Sequence, residues 1–127
     1  MRATTASTKP RLSDEERIDW LRLIRSENVG PRTFRTLLRY YGNARSALKA
    51  LPGLASRGGA KHPARIAQRE EAERELAAMR SLGVQLLALG EPEYPRALAR
   101  IDDAPPLISV RGNAALLDRP MVAIVGS

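Results

Sequence analysis

The chain has 127 residues, 43% of them apolar, and it carries a formal charge of +7. This length allows one ordinary domain, or a small domain plus part of another. No apolar run approaches the roughly 20 residues of a membrane-spanning helix, and the absence of cysteine excludes disulfides and thiolate metal sites. We therefore expect a soluble, cytoplasmic protein that has no membrane partner, metal or cofactor.

Positive charge is concentrated in one block of the sequence. Residues 28–65 include eight basic residues and no acid, whereas the part from residue 66 onward has seven Arg against nine Asp and Glu. Such a block indicates a polyanionic partner, most simply nucleic acid. A GC-rich genome explains why 18 of the 21 basic residues are Arg, but it does not explain the missing acids.

Residues 1–11 are rich in Ser and Thr and have no apolar segment of the secretory type. We interpret them as a disordered tail, although a transit peptide shares this composition. A first helix is predicted to begin after Ser13, because Ser13-Asp14-Glu15-Glu16 is a capping box. Its apolar pattern continues to about Ser26.

A tight turn is predicted to join this helix to a second one, which runs from Pro31 to about Tyr41. We expect Gly30 to take positive φ in the turn, with Pro31 supplying the φ of a first helical position. In the second helix, apolar residues recur at i, i+3, i+4 and i+7 and form one face. Arginines recur on a different face.

This turn and the helix after it form a candidate phosphate-binding site. The amides of a first helical turn point outward, and arginines beside them suit an anion, as in DNA-binding helix-hairpin-helix elements. The predicted DNA-binding residues are Val29, Gly30, Arg32, Thr33, Arg35 and Arg39. The alternative is that the turn only joins two packed helices, as in interaction domains of the sterile-alpha-motif type.

A third helix is predicted to begin after Asn43 and to stop at Pro52, which would complete a compact three-helix bundle. Residues 54–63 are then expected to form a loop. A long boundary helix is predicted over residues 64–82, ending at Gly83.

The rest of the sequence contains short aliphatic runs at residues 84–89, 107–110 and 121–125. Because these runs lack alternation, they predict strands covered on both faces, as in a parallel α/β sheet. Short helical pieces are expected between them, at residues 95–101 and 114–117. The third run leads into a glycine turn, which is half of a phosphate-binding βα unit, so we expect the chain to be part of a longer protein.

No set of residues predicts catalysis or metal binding. His62 has no cysteine or nearby carboxylate in the sequence and is expected to be a surface residue. Asp102 and Asp103 precede prolines and are expected to start a turn rather than to act as paired acids. An alternative is a nucleotide-binding enzyme whose phosphate loop starts at Gly126.

Several motifs occur in an order that is typical of one family. They are Asn28-Val29-Gly30-Pro31-Arg32-Thr33, Glu93-Tyr94-Pro95, Ala104-Pro105-Pro106-Leu107, Val110-Arg111-Gly112-Asn113 and Val122-Ala123-Ile124-Val125-Gly126-Ser127. From about Leu12 onward the chain resembles the DNA-processing protein A family (DprA, also called Smf). The resemblance implies a mainly α, SAM-like helix-hairpin-helix bundle over residues 12–82. The opening strands of an α/β extended Rossmann domain would follow over residues 83–127.

The resemblance also implies a function. Members of the family bind single-stranded DNA taken up in natural transformation and load the recombinase RecA onto it, and they are not known as enzymes. Gly126 and Ser127 would begin the single-strand site of the Rossmann domain. RecA and a second copy of the protein are implied partners through later parts of that domain. For the helical domain, an accessory contact with single- or double-stranded DNA and a protein-interaction role both stay open.

Overall fold

The computed structural model describes residues 10–59, 61–62 and 64–127. Within these ranges the chain forms helices first and strands afterwards. The elements are α1 (Asp14–Arg25), α2 (Pro31–Tyr41), α3 (Ala44–Arg57), α4 (Arg69–Ser81), β1 (Val84–Ala88), α5 (Arg96–Ala99), β2 (Leu107–Arg111) and a 3₁₀ turn (Ala114–Asp118). A helical domain followed by the start of an α/β domain was the predicted fold class, and it is confirmed.

Local capping signals set the boundaries of the first helices as predicted. Ser13 accepts a hydrogen bond from the Glu16 amide at 3.1 Å, and the Glu16 carboxylate accepts one from the Ser13 amide at 3.3 Å. Gly42 ends α2 with φ of +87°, a conformation that glycine adopts at little cost. Asn43 then caps α3 by accepting from the Ser46 amide at 2.8 Å. Residues 1–9 of the predicted tail lie outside the described residues.

The prediction that α3 stops at Pro52 was wrong, because the helix continues to Arg57. Pro52 removes one helical hydrogen bond. However, Leu51 is buried in the core, and Leu54, three residues on, packs against the same core. Continuing the helix keeps both leucines on one face, and this packing outweighs the local preference of the proline.

The prediction of a helix over residues 64–82 was wrong at its start, because residues 64–68 are not helical and the helix begins at Arg69. The Glu27 amide donates to the Arg65 carbonyl at 2.8 Å, and the Arg65 amide donates to the Glu27 carboxylate at 3.0 Å. Two residues later the Ala67 amide donates to the Ser26 hydroxyl at 3.2 Å. These bonds to the end of α1 occupy backbone groups that a helix would pair internally.

The strands β1 and β2 pair antiparallel, with Val84 opposite Arg111 and Ala88 opposite Leu107. The parallel pairing predicted from the aliphatic runs was therefore wrong for these two strands. Each strand has only five residues. The apolar pattern of so short a run does not distinguish a parallel strand from an antiparallel one. Between them the chain turns back, and the Tyr94 hydroxyl fixes this turn by donating to the Pro105 carbonyl at 2.7 Å.

Two clusters of buried side chains hold the helices together, and α1 contributes to both. The first joins α1 to α2 and α3, where the rings of Trp20 and Phe34 meet edge to face with centroids 4.9 Å apart. The second joins α1 to α4 through Ile18, Leu21 and Leu76. Helix α1 is thus the central element of the helical domain.

A buried ion pair ties α1 to the segment after β1. The Arg17 guanidinium donates to both carboxylate oxygens of Glu91, at 3.0 and 2.7 Å, and also to the Leu86 carbonyl at 2.7 Å. Glu91 accepts further hydrogen bonds from the amides of Ala88 and Leu12, at 2.7 and 3.0 Å. The Arg17 and Glu91 side chains are only 11% and 4% exposed. Both carboxylate oxygens of Glu91 therefore accept hydrogen bonds in a largely buried environment.

These contacts determine the ionisation of Glu91. Burial alone would raise its pKa, but hydrogen bonds from Arg17 and from two backbone amides outweigh burial and hold the pKa below its usual value of 4.5. A carboxyl group whose pKa is lowered by folding stabilises the protein above that usual value. This contribution is lost as the pH falls through the lowered pKa.

We expect the Glu91→Gln variant to be less stable than the original chain by about 3 kcal/mol near neutral pH, because Arg17 would stay buried without a counter-charge. Urea unfolding followed by Trp20 fluorescence measures this difference. A matched control is Asp14→Asn, since Asp14 pairs with Arg80 at 2.6 and 3.2 Å but both side chains are more than half exposed. The control is expected to lose much less, because solvent screens an exposed ion pair.

The same variants give a pH test. The advantage of the original chain over Glu91→Gln is expected to be constant near neutrality and to shrink as the pH falls below about 4.5. Equal losses in the two variants, or an advantage that does not depend on acid pH, would contradict the role assigned to the buried pair.

Residues 121–125 were predicted to form a third strand, and the structure has no strand there. Met121, Val122, Ile124 and Val125 are exposed, by 67% to 94%. Among the described residues the sheet consists of β1 and β2 alone, so the backbone of this segment takes no part in a ladder.

A protein consisting of these 127 residues is expected to self-associate through this segment. Its aliphatic side chains are exposed and its backbone is outside the sheet, and such segments pair with other chains. Light scattering coupled to size-exclusion chromatography should show a mass that rises with concentration. Val122→Lys combined with Ile124→Lys should restore the monomer, with Arg119→Lys as a neutral control. A monodisperse monomer of the original chain at high concentration would refute this.

Candidate nucleic-acid interface

Helix α2 presents one face to the core and the opposite face to solvent. Phe34 and Leu37 are buried, whereas Arg32 and Arg39 are exposed. These two arginines are seven residues apart, so they lie on the same face, about 10 Å apart along the helix axis. The predicted division of α2 into an apolar and a basic face is therefore what the structure has.

Among the described residues, the arginines of α2 have no acidic partner, unlike Arg45 and Arg65. In the described ranges no carboxylate lies within ion-pair distance of Arg32, Arg35 or Arg39. By contrast, Arg45 lies 3.3 Å from Asp19, and Arg65 pairs with a glutamate of α4 at 3.0 Å. The block without acids in the sequence is thus partly neutralised in space, and the three arginines of α2 are among the cations of the block that keep an uncompensated charge.

The turn before α2 differs from the prediction in one respect. Gly30 has φ of −92° and ψ of −178°, an extended conformation, and Asn28 is the residue with positive φ, at +64°. Asparagine tolerates this left-handed conformation better than most residues. The expected positive φ at Gly30 was therefore wrong, while Pro31 begins the helix as predicted.

Gly30 instead matters because it has no side chain at the N-cap position. Its carbonyl accepts from the Phe34 amide at 2.8 Å, but no side chain caps the first turn of α2. The amides of Arg32 and Thr33 consequently have no acceptor within the helix. They point out of the helix start, where the helix dipole also favours an anion.

The structure separates the predicted site residues into two groups. Arg32, Thr33 and Arg39 are exposed. Val29 is buried and packs in the core, and its amide donates to the Ser26 carbonyl at 3.3 Å. Arg35 is half-buried beside Tyr94; burial raises the pKa of that tyrosine, and the charge of Arg35 acts in the opposite direction.

Gly126 and Ser127, the predicted start of the second site, are exposed. Gly126 has φ of +131°, which glycine alone adopts readily. In the described part of the chain no backbone hydrogen bond joins these two residues to α2.

Two features near α2 were missed in the sequence. Tyr40 is 80% exposed and directly follows Arg39. The available signal was its position in the helical repeat, since Tyr41 belongs to the apolar stripe and Tyr40 does not. An open cavity of about 530 Å³ also lies beside the turn, with Thr33 and Lys61 among its polar lining and Leu51 among its apolar lining.

The described residues contain no group of three or more His, Cys, Asp or Glu side chains that could hold a metal ion. None of the described helices is long and apolar enough to cross a membrane.

Comparison with known proteins gives two consecutive matches. The family model described as the DprA-like N-terminal HHH domain matches residues 14–78, about half of the chain. The chain belongs to the DprA family. The model described as DNA recombination-mediator protein A matches residues 85–127, so the two DprA matches meet between α4 and β1. No curated protein matched the chain. Membership associates the protein with DNA processing and recombination.

Proposed function

We propose that this chain is the N-terminal part of a non-enzymatic DprA protein that binds single-stranded DNA and loads RecA onto it. In this proposal the helical domain adds an accessory, sequence-independent contact with DNA through α2. The observation that carries it is the exposed arginine pair Arg32 and Arg39, which has no acidic partner among the described residues although other arginines nearby are ion-paired. Free cations on a DNA-processing protein suit phosphates.

The proposed contact has two parts. The Arg32 and Arg39 guanidinium groups neutralise backbone phosphates, which releases counterions and makes binding steeply dependent on salt. The amides of Arg32 and Thr33, with that of Gly30, hold one phosphate at the helix start, and buried Val29 positions the turn. Arg35 adds long-range positive charge from its half-buried position. Neither part contacts base edges, so neither part selects a sequence.

The principal single-strand site begins, in this proposal, at Gly126 and Ser127. RecA binding and self-association as a homodimer belong to later parts of the Rossmann domain. Double-stranded DNA is a further proposed partner of the helical domain, because duplex phosphates offer the same charges to α2. A cytoplasmic location remains a prediction that follows from this role in recombination.

Replacing both Arg32 and Arg39 with Ala is expected to weaken binding of a labelled single-stranded oligonucleotide. The slope of log affinity against log salt should also fall by about 1.4, since each phosphate contact contributes about 0.7. Fluorescence anisotropy at several salt concentrations measures both quantities. The matched control is Arg74→Ala with Arg100→Ala, which removes the same charge from other surfaces. If both double variants bind alike, the α2 contact is wrong.

Gly30→Ser tests the contribution of the amides separately. A serine at this N-cap would accept a hydrogen bond from the Arg32 or Thr33 amide and stabilise α2 by a few tenths of a kcal/mol. The same bond would withdraw a phosphate donor, so we expect higher thermal stability together with weaker DNA binding. A Cβ at Gly30 has no atom within 4 Å, so the substitution fits without strain.

Gly30→Ala is the control for this test, since alanine fills the same space but cannot accept a hydrogen bond. It should bind DNA as the original chain does. A Gly30→Ser variant that is more stable but binds DNA with unchanged affinity would contradict a phosphate contact at the start of α2.

A further inference from the structure

Tyr40 is an exposed aromatic residue of α2 that the proposed phosphate contact does not use. Its side chain is 80% exposed, and the other large exposed hydrophobic residues of the described chain are aliphatic. An aromatic ring left in water at the end of a basic helix face is unexplained by packing. Its surroundings decide what it can bind.

The ring of Tyr40 is held in place but is not covered. It meets the ring of Tyr41 nearly at a right angle, with centroids 4.8 Å apart and an interplanar angle of 73°. Tyr41 is partly buried and packs against the core cluster, which anchors the pair. In an edge-to-face contact at most one face of a ring is occupied by its neighbour. At least one face of Tyr40 is therefore open.

The charge beside this ring is positive. Arg39 is the preceding residue, and the exposed residues Thr36 and Arg32 lie about one and two turns earlier in the helix. Helix α2 contains no acid at all. A polyanion following the two arginines would consequently pass the open face of Tyr40.

We propose that Tyr40 is a stacking platform for a base of single-stranded DNA whose phosphates contact Arg39 and Arg32. This inference rests on the function proposed above and adds selectivity to it. Phosphate contacts alone do not distinguish a single strand from a duplex. A base can leave its neighbours and stack on a protein ring readily only when it is unpaired, and such stacking is tolerant of sequence. Helix α2 would then favour single strands without selecting a sequence.

The experiment compares Tyr40→Ala and Tyr40→Phe with the original chain, using a labelled oligothymidylate and a duplex of the same length. Loss of one stacked base corresponds to about 5-fold to 150-fold weaker binding. We expect this loss for Tyr40→Ala on the single strand, with little change on the duplex and an unchanged salt slope. Tyr40→Phe keeps the ring and should bind both probes as the original chain does. Because Tyr40 is so exposed, both variants should keep the original unfolding temperature.

A third probe, an oligonucleotide of the same length with abasic sites at its centre, presents phosphates without bases. The original chain should prefer the intact strand, and Tyr40→Ala should lose much of that preference. If Tyr40→Ala binds the single strand as the original chain does, or loses equally on single strand and duplex, the stacking role is overturned.

The arginine variants keep this test separate from that of the proposed function. If Arg32→Ala with Arg39→Ala weakens binding of both probes while Tyr40→Ala changes neither, only the stacking role fails, and Tyr40 is better explained as a contact for a protein partner. If the arginine double variant binds as the original chain does, the α2 contact fails, and the platform proposed on it fails too.

Discussion

The ion pair of Arg17 and Glu91 is the interaction on which the arrangement of this chain depends. It joins the helix that lies at the centre of the helical domain to the turn that follows the first strand. Because the pair is bidentate and its carboxylate also accepts two backbone amides, the two parts of the chain are fixed in orientation as well as in distance. A buried pair of this kind contributes less to net stability than to the uniqueness of one arrangement, which is our hypothesis for it here. The surface of α2 is consequently presented in a fixed position relative to the strands.

The arginines of the chain have different roles that follow from their neighbours. Arg17, Arg25 and Arg69 connect separate elements through carboxylates, and their charge is largely cancelled locally. Arg32 and Arg39 keep their charge. In a chain of formal charge +7, most acids of the described residues are already paired with arginines, so Arg32 and Arg39 are among the cations whose charge is left uncompensated. This separation is what makes a phosphate contact on α2 physically reasonable in a member of a DNA-processing family.

Helix α2 combines a structural and a proposed binding role on opposite faces. Phe34 packs against Trp20 and fixes the helix on the bundle, so the outward face needs no further support from the chain. The uncapped start at Gly30 and the open ring of Tyr40 are both features that packing does not require. A helix optimised only for stability would have a polar N-cap residue. Unused donors, unpaired cations and one exposed aromatic ring lie along the same element, and together they favour a nucleic-acid partner over a purely structural turn.

The sequence by itself determined the features that depend on neighbouring residues. Ser13 and Asn43 set helix starts through hydrogen bonds only three residues long, and the spacing of apolar residues fixed which face of α2 is buried, so these predictions are confirmed. The arginine pair of the candidate site followed from the same helical repeat, whereas Tyr40 was missed because its exposure depends on what the bundle leaves uncovered.

Only the tertiary structure decided the features that depend on distant partners. Pairing of Arg17 with Glu91 spans 74 residues, and the extended start before α4 depends on bonds to the end of α1. The antiparallel direction of the strands and the continuation of α3 through Pro52 likewise follow from long-range packing. Local patterns carry no information about such partners, because a buried charge or an antiparallel strand is stabilised by groups that are distant in the sequence.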